Sequence, residues 1–257
     1  MDSIQGKTKE AYDLVRERII TLEMAPGSPI NERHLAEDLG MELDAVHQAL
    51  RLLAYDGLVI ITPPSEHGIY VAHVHLSDLE KLSRVRLELE ALAARLAAES
   101  ATSEDLATLD GIWQEQSSLE ADDIERWFEL DQRLHAAVAQ AAHNRYLAEA
   151  LERFFTLSLR LWHVAQQAMP RQAGVSPLVE FLPAAVEEHV DLVDAIRQRD
   201  ADRAAQLMRK HVEEFYNKVS AVLTATVTVS YGSNTQQVVV EAGSALALYN
   251  FADVPST

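Results

Sequence analysis

The sequence runs to 257 residues, enough for two domains that each bury a core of their own. It contains no cysteine, which excludes disulfides, thiolate zinc sites and cysteine nucleophiles. The formal net charge of −18 is spread as 6 basic against 12 acidic residues in 1–75, 16 against 26 in 76–222 and none against 2 in 223–257, which excludes a generally polyanion-binding surface and confines any DNA contact to a local patch.

In chain order, Ala11, Leu14, Val15, Ile19 and Leu22 recur at three- and four-residue intervals and predict an amphipathic helix over 8–23, stopped by Pro26 and Gly27. Two short helical patterns follow at 32–39 and 43–55, separated by Gly40 in the rhythm of a helix-turn-helix. Residues 58–62 and 68–72 are short β-type runs flanking PPSEH and predict a two-stranded wing. After His75 the chain becomes rich in alanine and leucine. Helices are predicted at 78–100, 103–118, 122–142, 144–168, 183–199 and 201–222, with Pro170, Gly174, Pro177 and Pro183 marking a break. Ser77 with Glu80 predicts a capping box for the first of them, and Asn144 an N-cap for the fourth. The segment TATVTVSYGSNTQQVVVEAGSALALYNF alternates Val with Thr around a Gly-Ser-Asn turn and predicts a β-hairpin. The fold class is therefore mainly α: an N-terminal winged helix-turn-helix (1–75), an antiparallel all-α bundle (76–222) and a short β-rich tail (223–257). No basic stretch precedes an apolar run at the N-terminus, and no segment holds about 18 uninterrupted apolar residues, so a soluble, cytoplasmic protein without membrane contact is expected.

One constellation carries chemistry. Asp131 and His135 are four residues apart, which stacks them on one face of the 122–142 helix. His189 is flanked by Val190, Leu192 and Val193, and His211 by Leu207, Met208, Val212 and Phe215, so both imidazoles are predicted to face the bundle interior. One carboxylate with three imidazoles on facing helices suits a divalent ion such as zinc, nickel, manganese or iron. Taken singly, an interior histidine is more often a hydrogen-bonded core residue than a ligand.

LEMAPGSPINERHLAEDLG, a helix ending in ALRLLAYDGLV and a wing ending in HGIYV resemble the winged-helix domain of GntR-type regulators. Downstream, VRLELEALAARLAA, LDQRLHAAVAQAAHN, EEHVDLVDAI and RDADRAAQLMRKH resemble, in order and spacing, the FCD-type ligand-binding domain of the FadR subgroup; together the match covers about 8–220. The resemblance implies a homodimeric, ligand-responsive transcriptional regulator whose Asp131, His135, His189 and His211 hold a divalent metal beside a small organic acid effector. It also implies that the second short helix enters the major groove of operator DNA while the wing reaches the adjacent minor groove or phosphates. Arg86 matches a family arginine near the effector and suits bidentate pairing with a carboxylate; an intrahelical pair with Glu90 is the competing reading, with Glu90 orienting its neighbours. His143 departs from the family pattern and is not counted as a ligand, and Trp162 or Tyr146 is a candidate to line the effector pocket.

The recognition helix departs from the family too. Glu42, Leu43, Asp44 and His47 stand where Ser or Thr and two arginines are usual, and carboxylates are repelled by phosphate. Arg33, His67 and Gly68 match positions that approach DNA, and Gln48 and Arg51 add polar reach. Operator binding is therefore expected to be weak or conditional. Two other readings stay open at this point: a metal-dependent lyase or hydrolase with a degenerate DNA-binding domain, and a DNA-silent sensor that acts on a protein partner through its C-terminal strands.

Overall fold

The structure, a computed structural model, describes residues 2–63, 68–75, 77–120, 123–168 and 182–226. The wing tip with His67, the proline-marked break at 169–181 and the predicted hairpin beyond residue 226 lie outside the described residues. The chain divides into two units, one of Met1–His75 with Leu159–Val164, the other of Leu76–Ser158 with Ala165–Thr257.

In the first unit α1 (Asp2–Ile20) starts earlier and ends earlier than the periodicity predicts. Nothing in its polar first turns stops a helix, whereas Leu22 takes a left-handed conformation (φ 66°) and turns the chain out before Pro26. Ala11, Val15 and Ile19 form its buried line, while Leu14 is 43% exposed and does not belong to that face. α2 (Glu32–Leu39) is capped by the Asn31 side chain, which accepts from the Arg33 and His34 amides at 3.1 Å. Gly40, at φ 64°, closes it in the left-handed region that glycine adopts without strain. α3 (Leu43–Tyr55) packs Ala45, Val46, Ala49, Leu50 and Leu53 inward, against α1 and α2. β1 (Val59–Ile61) and β2 (Ile69–Val71) pair antiparallel with Val59 opposite Val71, which gives the expected wing. Leu159–Val164, part of the long helix α7 (Arg145–Ala168), completes this unit: the buried Arg160 donates to the Ala72 carbonyl, and His163 Nδ1 lies 2.6 Å from the Ile20 carbonyl.

The second unit packs α4 (Asp78–Ser100), α5 (Ser103–Ser117), α6 (Ile124–Ala141), most of α7 (Arg145–Ala168), α8 (Leu182–Arg197) and α9 (Ala201–Thr226) around one apolar core. Ala93, Ala94, Ala97 and Ala98 give α4 a surface of small side chains, so that α9 approaches it closely. Leu130, Leu134 and Val138 of α6 and Leu192, Val193 and Ile196 of α8 belong to the same buried core. Asn144 caps α7 as predicted, accepting from the Leu147 amide at 3.2 Å. α8 ends where Arg199 turns left-handed (φ 61°) and donates to the Ala98 and Ala101 carbonyls at the end of α4.

Two sequence expectations fail here. Ser77 is already in the right-handed helical region and accepts no amide proton, and Glu80 pairs with Arg84 at 2.6 Å, so no capping box starts α4. Helix α9 continues through Thr226, past its predicted end at 222. β-branched residues cost only a few tenths of a kcal/mol each in a helix that is already nucleated. A capping box does occur at α5, where Thr102 Oγ1 accepts from the Asp105 amide at 3.1 Å and Asp105 Oδ2 from the Thr102 amide at 2.7 Å. Thr102→Ala is expected to cost about 1 kcal/mol, read in thermal denaturation as a drop of roughly 2–4 °C.

Candidate metal centre

The spacing on α6 does what four residues on a helix must: Asp131 and His135 rise from successive turns of its buried face, 4% and 3% exposed. His189 of α8 and His211 of α9 complete the group, 0% and 5% exposed. One ligand atom from each of the four lies within 4.8 Å of the others. The inward atoms are the three imidazole Nε2 and Asp131 Oδ1. His211 Nε2 is 3.2 Å from that of His135 and 3.3 Å from that of His189, and Asp131 Oδ1 is 3.4 Å from His189 Nε2 and 3.9 Å from the other two. A tetrahedral ion with ligands at about 2.1 Å has ligand-to-ligand edges of about 3.4 Å. Asp131 Oδ1 is buried and has no hydrogen-bond partner, a costly state for a carboxylate oxygen that a cation among these atoms would relieve.

Each imidazole is turned by its other nitrogen. His135 Nδ1 is held by Glu90 of α4, His189 Nδ1 lies 2.8 Å from Gln116 Oε1 of α5, and His211 Nδ1 lies 2.8 Å from Glu188 Oε2 of α8. When Nδ1 donates, Nε2 presents its lone pair inward, the arrangement found around histidine-ligated metals. The Gln116 orientation is itself fixed by Nε2 facing the Trp127 carbonyl at 3.4 Å. Burial, reinforced by the two neighbouring imidazoles, holds the His189 pKa well below the usual histidine range and keeps it neutral. For His135 burial acts in the same direction, but the charge and hydrogen bond of Glu90 more than offset it, and its pKa is raised. Burial also works against the Glu90 carboxylate; the charges and hydrogen bonds of Arg86 and His135 prevail and bring its pKa down to about 2.

Arg86 is engaged by Glu90, its Nε 2.6 Å from Oε1, and its guanidinium carbon stands 5.2 Å from the centre of the Phe155 ring. The intrahelical pair is thus the arrangement present, and Glu90 links it to His135. Sequence reasoning identified the four inward residues and Glu90 as an orienting group, but it missed Gln116 and Glu188. Glu188 adjoins His189 yet serves His211, a relation no local spacing displays. His143 lies apart from the group, with a left-handed backbone (φ 48°) and Nε2 2.9 Å from Asp105. Tyr146 is 71% exposed and Trp162 is buried within the first unit; a cleft beside the group is lined instead by Trp127, Phe128, His211 and Phe215.

In the first unit Arg33, His47, Gln48 and Arg51 are all exposed, and Gly68 is half-buried at the start of β2. His47 is not free: Nδ1 lies 2.7 Å from Glu32 Oε1. Glu42 likewise takes Lys7 Nζ at 2.5 Å instead of capping α3.

A winged helix-turn-helix joined in one chain to a helical domain with a buried histidine-carboxylate cluster defines a class, that of the DNA-binding regulators with a sensing domain. This chain belongs to the gntR family of bacterial regulatory proteins: that family's sequence profile matches residues 7–71, and the FCD domain profile matches residues 81–214. It is 24% identical over 223 residues to the HTH-type transcriptional repressor RspR of Escherichia coli K12, covering 86% of this chain and 92% of RspR. It is 34% identical over 144 residues to an HTH-type transcriptional regulator in the TAR-I ttuE-ttuC' intergenic region of Agrobacterium vitis, covering 54% of this chain and 83% of that one. The solved structure of E. coli McbR/YncC shares the fold with a TM-score of 0.69 at 21% identity, over 84% of this chain and 97% of that chain. The protein is a transcriptional regulator, and the reading as a metal-dependent lyase or hydrolase finds no support among these relatives. Among the described residues no helix is long and apolar enough to cross a membrane.

Proposed function

We propose that this regulator is a homodimer that senses a small organic acid through a divalent metal held by Asp131, His135, His189 and His211. The observation that carries the proposal is the convergence of three Nε2 atoms on an orphaned carboxylate oxygen, with every outer Nδ1 already engaged. The donor set suits zinc, nickel, manganese or iron. When bound, an ion that expands beyond these four ligands would offer a carboxylate a further, Lewis-acidic coordination position. The chain's part is to hold that position in shape: Glu90 sets His135, Gln116 sets His189, Glu188 sets His211, and Arg86 holds Glu90 ionised and in place. Arg86 acts on this reading through Glu90 and not as the main anchor of the effector.

The DNA-binding surface comprises the exposed side of α2 and α3 and the wing, with Arg33, His47, Gln48, Arg51, His67 and Gly68 as contacts to operator DNA. Arg33 and Arg51 serve phosphates or guanine, and Gln48 suits adenine. The Lys7–Glu42 pair blunts the acidity at the start of the recognition helix. The acid changes DNA affinity only to the extent that it binds two states of the dimer differently. Anisotropy titrations with DNA from upstream of the protein's own gene, with and without metal and candidate acids, test this. Salt-dependent binding that shifts with the acid only in the metal-loaded protein is the expected result; the same shift without metal would contradict it. Gln116→Leu is expected to lower metal affinity by about 10–100-fold while the fold persists, measured by competition with a chelating dye.

A further inference from the structure

The exposed face of α3 is ordered by what each side chain can offer to a base edge. Leu43, Asp44, His47, Gln48 and Arg51 lie on this face at helical spacing, with Ala45, Val46, Ala49 and Leu50 buried behind them. When a recognition helix lies in the major groove, its N-terminal residues meet the base edges. Here those residues are Leu43 and Asp44.

Leu43, the first residue of α3, is 46% exposed. The Asp44 side chain has no hydrogen bond or ion pair among the described residues. Its polar neighbours, by contrast, are engaged: Glu42 takes Lys7 Nζ, and His47 Nδ1 lies 2.7 Å from Glu32 Oε1. His47 therefore has only Nε2 left for DNA and cannot make the two-pronged contact with guanine O6 and N7 that a guanidinium makes. The start of the helix thus presents an apolar group and a free acceptor, and the first guanidinium on this face is that of Arg51. Guanine shows two acceptors in the major groove and thymine one, which repel a carboxylate; the amino group of adenine stands beside the N7 acceptor, whereas cytosine shows an amino donor alone. The methyl group of thymine is the apolar feature of the groove.

Resting on the operator-binding reading above, we infer that Leu43 and Asp44 determine sequence specificity: Asp44 accepts from the amino group of a cytosine, and Leu43 packs on the methyl group of a nearby thymine. This end of α3 reads pyrimidines, where an arginine would read guanine. Phosphates repel the Asp44 carboxylate on every sequence and only the cytosine contact offsets this, so the same side chain suppresses nonspecific binding. A carboxylate in the first turn also suits the helix dipole. Asp44→Asn separates the two roles, because the amide keeps the shape of the side chain and pairs with adenine N6 and N7.

The test is selection from a duplex library with a randomised core by the full chain, with and without zinc, followed by anisotropy titration of the selected duplexes. The parent is expected to select cytosine·guanine at one pair in each half-site and to bind it about fivefold or more tighter than the other pairs. Asp44→Asn is expected to select adenine·thymine at that pair, with the other positions unchanged and nonspecific binding strengthened. Uracil in place of one thymine of the half-site is expected to weaken the parent roughly threefold and Leu43→Ala not at all. Both side chains face solvent, and thermal denaturation checks that both variants are folded. If the parent and Asp44→Asn select the same base pair, or if the parent binds uracil as well as thymine at every position, the inference is overturned and operator binding stands. If no sequence is enriched by the parent, the operator-binding reading fails and the specificity falls with it.

Discussion

Glu90→Leu is expected to destabilise the helical domain by about 3–5 kcal/mol, a fall in melting temperature on the order of 10 °C. Glu90 is 1% exposed and stands between Arg86 and His135, one oxygen 2.6 Å from Arg86 Nε and the other against His135 Nδ1. The leucine leaves an 8%-exposed guanidinium without its counter-charge. Arg86→Met alone is costly for the converse reason, because it strands the carboxylate. The double variant removes both charges, and its loss is expected to be well under the sum of the single losses, since a buried pair replaced by apolar groups of similar size is often near neutral. Thermal and urea denaturation of the four proteins, all metal-free, measure this. Additive losses would mean that the two side chains do not act as a pair.

His189→Ala is expected to lower metal affinity by more than the roughly 10–100-fold that loss of an outer partner costs. His189 is fully buried, its ring stacks on Trp127 with centroids 6.3 Å apart and planes 17° apart, and its Nε2 is 3.4 Å from Asp131 Oδ1. Asp131→Asn is the companion variant, because it keeps the shape of the side chain and removes the charge. In the parent, metal at 100 times its dissociation constant adds about 2.7 kcal/mol of stability. That increment is expected to disappear in both variants, and with it the response of DNA binding to the acid. A metal-induced rise in melting temperature that survives in Asp131→Asn would place the ion elsewhere.

Asp131 and His135 were legible because the i, i+4 relation is a property of one helix. His189 and His211 could be assigned to the interior from their apolar neighbours, and the family resemblance joined them to the α6 pair. The outer partners were not legible, because Gln116 is 73 residues from His189 and Glu90 is 45 residues from His135; only packing brings them together. The same holds for the acidity of the recognition helix. Glu42 reads from the sequence as a liability toward phosphate, but Lys7, 35 residues earlier, neutralises it in the folded unit. Helix starts were read well at Asn31, Asn144 and Ser77, although the capping box predicted at Ser77 does not form; the end of α1 was read poorly, because at Leu22 the backbone alone decides.

The geometry of the four inward residues is tested most directly by anomalous diffraction at the zinc edge from crystals of the zinc-loaded protein. The expected result is one anomalous peak per chain, about 2.1 Å from the Nε2 atoms of His135, His189 and His211 and from Asp131 Oδ1. Zinc found only at exposed carboxylates, with no peak among these four atoms, would contradict it.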